Sequence, residues 1–166
     1  MDQGIKSRPH YEPLRLDPAG RRHLVVTDHQ NLPDGAFVEP PEGAEIWIEA
    51  RIAAITERLA RETTGFRLYA VGTEPFIWDV AAIAREAGMV RGEVFLCHAG
   101  SLRRRVYCSH CKAMTDDVTT SIVRCSGCDA HLFVRDHFSA RLAAFMGVQV
   151  DAEDHGAVPA AELLYP

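Results

Sequence analysis

Hydrophobic positions along this chain come in short blocks whose period alternates between about two and about three and a half residues. Residues 23–28 (HLVVTD) form a β-branched run that predicts a strand. A long breaker-rich stretch follows, with Pro33, Gly35, Pro40, Pro41 and Gly43. Loops of that length are uncommon in compact domains unless they carry function or disorder. From Ala44 to about Glu62 the pattern reads as a helix, with Ile48, Ile52, Ile55 and Leu59 on one stripe and Glu57 spaced to pair with Arg61. Gly65 reads as its stop. Residues 66–71 (FRLYAV) predict a second strand, and Thr73-Glu74-Pro75 a helix start with Thr73 as N-cap. Ile77, Val80, Ala81, Ala84 and Ala87 make the apolar face of that helix, and Gly88 ends it. Residues 93–98 predict a third strand.

The predicted order of strand, helix, strand, helix, strand implies an α/β unit, a small three-stranded parallel βαβαβ arrangement with helices packed on the sheet. Four regions follow: an irregular, proline-bearing arm (1–21), the α/β domain (22–100), a cysteine-bearing module ending in a short helix with Leu142, Ala143 and Phe145 (101–150), and an acidic tail (151–166). The tail carries Asp151, Glu153, Asp154 and Glu162 and no lysine or arginine, so it is expected to be mobile or laid against a partner.

Composition changes this picture only by exclusion. The 166 residues are 47% hydrophobic and 25% charged, an ordinary balance for a soluble globular chain. A formal net charge of -5 argues against broad nucleic-acid binding. No apolar run approaches the roughly 18–20 residues needed to cross a bilayer, and the polar start lacks a signal-peptide layout. A cytoplasmic location is the expectation, so the five cysteines are read as metal ligands or buried thiols before disulfides.

Four of those cysteines carry the clearest chemistry. Cys108-Ser109-His110-Cys111 and Cys125-Ser126-Gly127-Cys128 are two C-x2-C knuckles, able to complete one tetrahedral four-thiolate site in a zinc-ribbon or rubredoxin-like module. Asp116-Asp117 is expected to turn the chain between them, and residues 118–123 to carry it as a strand into the second knuckle. Zinc there is a structural staple; iron in the same shell is a one-electron carrier. Rubredoxins usually place glycine just after each knuckle, where this chain has Lys112 and Asp129, which favours zinc.

The remaining candidates have blander readings. His110 and His131 flank the knuckles but are not needed as ligands. Cys97 reads as a buried thiol on the third strand. Gly72-Thr73 opens a helix where amides can hold a phosphate, but no glycine-rich nucleotide motif accompanies it. Arg103-Arg104-Arg105 cannot all face one pocket from a strand. Asp136 and His137 lack a nucleophile at a telling distance, so no catalytic constellation emerges.

Residues 106–153, beginning V-Y-C-S-H-C-K-A-M-T and including R-C-S-G-C-D-A-H-L-F-V-R-D-H-F-S-A-R-L-A-A-F-M-G, resemble the C-terminal domain of the DmmA family. These are small subunits of bacterial dimethylamine monooxygenase and related systems. The resemblance implies a part in oxidative N-demethylation of secondary amines by a multi-subunit haem enzyme. Haem is then expected on one partner subunit, and flavin with an iron–sulfur centre on a reductase subunit. Residues 66–90 also look like the last strand and helix of a ferredoxin-reductase-type nucleotide domain. Val71-Gly72-Thr73 departs from the usual Cys-Gly-Pro turn there, and the upstream phosphate loop is missing, which weighs against nicotinamide binding.

Three roles compete: an accessory oxidoreductase subunit with a structural zinc ribbon, an iron-bearing electron-transfer subunit of the same complex, and a nucleic-acid-binding zinc ribbon. The negative charge and the lack of basic–aromatic interleaving count against the third. The first is the leading expectation, with no catalytic residue in this chain itself.

Overall fold

The computed structural model describes residues 8–154 and 156–166. They form two compact units, one spanning Tyr11–Gly100 and the other comprising residues 8–10 with Ser101–Pro166. Residues 1–7 of the expected arm lie outside the described residues.

The first unit is mixed α/β with a parallel sheet. Its elements are β1 (Arg22–Thr27), β2 (Glu45–Trp47), α1 (Ile52–Leu59), β3 (Phe66–Gly72), α2 (Glu74–Glu86) and β4 (Val94–His98). The sheet has four strands rather than the expected three, in the order β2-β1-β3-β4, all parallel. The added strand comes from the sequence read as the start of a long helix. Ile48 continues the spacing of Ile52, Ile55 and Leu59, but pairing of Leu24, Val25 and Val26 with residues 45–47 overrides that period. Ile48 is left 51% exposed. Glu49, at a φ of 46°, turns the chain before α1 starts. Because α1 ends at Leu59, Arg61 lies beyond it, and the i,i+4 ion pair is Arg58 with Glu62 at 2.6 Å.

Alternation along β1 and β3 sorts their side chains into two cores. Leu24, Val26, Leu68 and Ala70 face Ile55, Leu59, Ile77, Val80 and Ala84 from the helices. Val25, Tyr69, Val71 and Cys97 face the opposite way and are covered by Leu14, Ala36, Leu32 and Phe37. The long loop is therefore a cover for the second face. Topology gives the reason: from β1 the chain steps to β2 on one side, then both helical connections run back the other way. Right-handed connections that cross a sheet in opposite directions lie on opposite faces. Residues 11–21 complete the cover, with Leu14 bridged to Phe37 and the Asp17 N–H donating to Tyr69 Oη at 2.8 Å.

The second unit is a five-stranded sheet of order β6-β5-β9-β8-β7. Its strands are β5 (Arg104–Cys108), β6 (Met114–Val118), β7 (Ile122–Arg124), β8 (His131–Ser139) and β9 (Ala144–Gln149). Asp116 and Asp117 lie inside β6, so they are not the expected turn. The strand expected over residues 118–123 is instead the end of β6, a link and the start of β7. The short helix expected around Leu142 and Phe145 is a β8–β9 hairpin. Phe138, Leu142 and Phe145 are spaced like a helical face, yet Phe138 and Phe145 are cross-strand partners in edge-to-face contact at 5.0 Å. Ala143, at a φ of 50°, closes the turn. The end of the acidic tail is also engaged, with Leu163 bridged to Thr120 and Tyr165 buried.

Candidate metal centre

Strand direction brings the two knuckles together. β5 runs parallel to β9, β9 antiparallel to β8, and β8 antiparallel to β7. Hence β5 and β7 point the same way, and the turns that follow them emerge at one end of the sheet. Two strands lie between β5 and β7, roughly 14 Å if the sheet were flat. Yet the Sγ atoms of Cys108, Cys111, Cys125 and Cys128 all lie within 4.8 Å of one another. The sheet must curl to do this. Register shifts between Arg104 and Val106 and between Val134 and Phe138 supply local bends. The curl is tied by Ser126, whose N–H donates to Thr115 Oγ1 at 3.1 Å and whose hydroxyl donates to the Met114 carbonyl at 2.7 Å.

The same turn is built twice. The N–H of Cys108 donates to the Ala113 carbonyl at 2.9 Å, and that of Cys125 to the Ala130 carbonyl at 2.9 Å. The Lys112 and Asp129 N–H groups return to the carbonyls of Cys108 and Cys125 at 3.1 and 3.0 Å. Both residues take left-handed backbone, at φ 71° and 58°. These are the positions where glycine is usual in rubredoxins, and the fold demands the glycine conformation of a lysine and an aspartate. Each is anchored by its side chain: Lys112 Nζ donates to the Ser109 carbonyl at 2.6 Å, and Asp129 pairs with Arg124. Gly127 is required for space. A Cβ there would lie 2.5 Å from Ala113 Cβ and 3.1 Å from Cys111 Sγ.

The donor chemistry fits a tetrahedral metal ion. Cys111 and Cys125 Sγ are 3.4 Å apart, and Cys108 and Cys128 Sγ 3.9 Å. A tetrahedron with metal–sulfur bonds of about 2.3 Å has edges of about 3.8 Å, whereas a disulfide needs about 2.05 Å. The Cys111 N–H points at Cys108 Sγ (3.5 Å) and the Gly127 N–H at Cys125 Sγ (3.4 Å). Burial opposes the Cys125 thiolate, but the N–H groups of Cys128 and Gly127 and the neighbouring thiols outweigh it and bring that thiol down to about 7. The Ala130 N–H favours the Cys128 thiolate, but burial and three thiol neighbours push it up to about 12. The hydrogen bonds shared within the cluster thus favour the Cys125 thiolate and oppose that of Cys128.

The comparisons with known proteins fall on this module first. Residues 105–148 match the model of the dimethylamine monooxygenase subunit DmmA-like C-terminal domain. Over almost the whole length the chain is similar to the heme-dependent oxidative N-demethylase delta subunit of Ectopseudomonas mendocina (strain ymp). Identity is 31% over 89% of this chain and 90% of that protein. The chain belongs to the DmmA-like family. No solved structure matches it.

The other candidate residues of this family member are placed elsewhere. His110 and His131 are not among the clustered ligand atoms. Cys97 lies in the second core of the α/β unit, where burial raises its thiol above the ordinary value. The arginine run is dispersed. Arg103 and Arg105 pair with Asp117 and Asp116, while Arg104 is 3% exposed and donates to Asp136 Oδ1 at 2.9 Å. Asp136 is thus an ion-pair partner of Arg104. At the start of α2, the Asp28 carboxylate accepts from Thr73 N–H at 3.3 Å and from Thr73 Oγ1 at 2.5 Å. Thr73 does not cap the helix with its own side chain as expected; Asp28, from the end of β1, supplies the oxygen. No helix among the described residues is long and apolar enough to cross a membrane.

Proposed function

We propose that this chain is an accessory subunit of a multi-subunit oxidative N-demethylase, in which Cys108, Cys111, Cys125 and Cys128 hold one zinc ion as a structural staple. The observation that carries the role is similarity to a delta subunit across both units rather than the ribbon alone. Support for the ion is the four-thiol cluster on a sheet that curls around it. The buried residues around the cysteines, Val106, Val118, Leu132, Val134 and Phe145 among them, make a small core. A module of that size gains a large share of its stability from a metal ion.

In this reading the redox chemistry belongs to partners: haem on one subunit, and flavin with an iron–sulfur centre on a reductase subunit. This chain supplies surface and order, with no catalytic residue, no nucleic acid and no membrane among its partners. A reducing compartment keeps four thiols available to a metal, which supports a cytoplasmic location for the chain.

The test is elemental analysis and a visible spectrum on protein purified without added metal, together with co-purification from cells expressing the haem subunit. One zinc per chain, no visible absorption and a stable complex are the expected results. One iron with thiolate charge-transfer bands that bleach on reduction makes the chain an electron carrier and overturns the structural reading. A lone chain with no affinity for the haem subunit overturns the accessory role.

A further inference from the structure

The last residues of the chain form a strap across the ribbon module. The Ser121 N–H donates to the Glu162 carbonyl at 2.8 Å, and the Glu162 N–H to Ser121 Oγ at 2.9 Å. Leu163 bridges Thr120 in antiparallel fashion, and the N–H groups of Leu164 and Tyr165 both donate to the Thr119 carbonyl, at 3.0 and 2.9 Å. The Pro166 carbonyl accepts from the Leu102 N–H at 2.9 Å and from Ser101 Oγ at 3.2 Å. Tyr165 is 8% exposed, and its ring lies over the Arg104 guanidinium at 3.8 Å. The Phe145 ring covers that guanidinium at 3.9 Å. Arg104 is thus held by two aromatic faces and by Asp136, a cation–π arrangement stronger for being desolvated.

What the strap joins gives it meaning. Leu102 leads into β5, which delivers Cys108. Residues 119–121 lead into β7, which delivers Cys125. The strap therefore ties together the two lead-ins at one end of the strands, while the four cysteines meet at the other. Tyr165 packs into the same buried cluster as Cys108 and Cys125, so the two ends share one core.

We infer that residues 162–166 are a clasp whose docking and the binding of a metal ion by the four cysteines reinforce each other. The inference rests on the metal reading above. With both ends tied, β5 and β7 are held at the separation the thiolates need; with the clasp open, their lead-in ends are joined only through β9 and β8. Coupling of two binding events is reciprocal, so the ion must tighten the clasp by the factor by which the clasp tightens the ion. Leu163 and Leu164 are 69% and 47% exposed, so the clasp is held mainly by its backbone bonds and one ring. It is thus able to open without unfolding the module.

Two measurements on the full chain test this. In the first, hydrogen exchange is followed with zinc bound and after its removal by a chelator. The Leu164 and Tyr165 amides are expected to exchange about tenfold faster without zinc, with amides of the α/β unit unchanged. In the second, zinc release to a chelating dye is timed. Tyr165→Ala is expected to release zinc about tenfold faster than wild type, and Tyr165→Phe, which keeps the ring on Arg104, to stay near the wild-type rate. Clasp amides that ignore zinc, or a Tyr165→Ala protein with wild-type release, overturn the clasp while leaving the metal site standing. Wild-type protein that never holds a metal ion overturns the metal reading itself. The exchange experiment needs no variant and decides the matter even where Tyr165→Ala fails to fold.

Discussion

The two units cover their sheets in opposite ways. The α/β unit buries both faces of a parallel sheet, one under helices and the other under residues 11–21 and the long loop. Fully buried Leu24, Leu68, Tyr69, Ile55 and Ile77 give it a core of ordinary side chains. Among the described residues the second unit has no helix, and its sheet folds on itself around four thiols. Where the first unit is held by area removed from water, the second has a smaller core and, on the readings proposed above, is cross-linked by a metal at one end and the clasp at the other. Loops therefore mean different things in each. The 28–44 loop is part of a core, whereas the knuckle turns are ligand carriers with a demanding backbone.

The largest expected effect comes from taking the metal away. Chelation, or Cys125→Ser, is expected to lower the unfolding free energy of residues 101–166 by several kcal/mol, read as an earlier denaturant midpoint of a module that stays folded in native buffer, while residues 11–100 keep theirs. An equal loss in both units would break the contrast. The converse is Ile77→Ala in the α/β core, expected to cost about 2–5 kcal/mol in that unit with metal content unchanged. Gly127→Ala is smaller and local. Its added methyl must push against Ala113 and Cys111, and a loss of about 1–3 kcal/mol with weaker metal affinity should appear in a chelator competition.

The smallest effect is a pH dependence of the cover. The hydrogen bond from Arg67 at 2.5 Å, with the Ala19 N–H, holds the Asp17 carboxyl below its ordinary value. A depressed carboxyl stabilises the fold above its unfolded value, about 3.9, and that stabilisation is lost as pH falls through the folded one. Acid titration of the α/β unit should therefore lose part of its low-pH dependence in Asp17→Asn, with the ribbon unaffected.

How much of this was legible in the sequence also divides by unit and by distance along the chain. The clustering of Cys108, Cys111, Cys125 and Cys128 follows from local spacing, which is why they could be expected together without a structure. β1, β3, α2 and β4 announce themselves through β-branched runs, caps and glycine stops. The errors arise where a helical period occurs by coincidence: Ile48 ahead of Ile52, and Phe138 ahead of Leu142 and Phe145. At Ile48 the pairing of β2 with β1, distant in sequence, prevails over local pattern, and at Phe138 a tight hairpin to Phe145 does. The clasp was hidden by distance in sequence, as the β2 pairing was. Tyr165 sits in an acidic, loop-like tail, and only the fold reveals Arg104 beneath it. Nothing in the spacing showed that Gly127 is crowded by Ala113 and Cys111, or that Lys112 and Asp129 take left-handed backbone.

The Asp28–Thr73 contact has a consequence for what the start of α2 can bind. A helix that starts just past a parallel strand is a general receptor for anions, and here the receptor is filled from within. The carboxylate is tethered one residue beyond β1, so it competes with any free anion as an intramolecular rival at high effective concentration. Its position is enforced from below: a side chain at Gly72 would collide with Asp28 Oδ1 at 1.9 Å. Phosphate or a nucleotide arriving at α2 would have to evict a resident negative charge and meet its repulsion. At the start of α2 the chain thus carries its own carboxylate where a free anion would otherwise meet the Thr73 N–H.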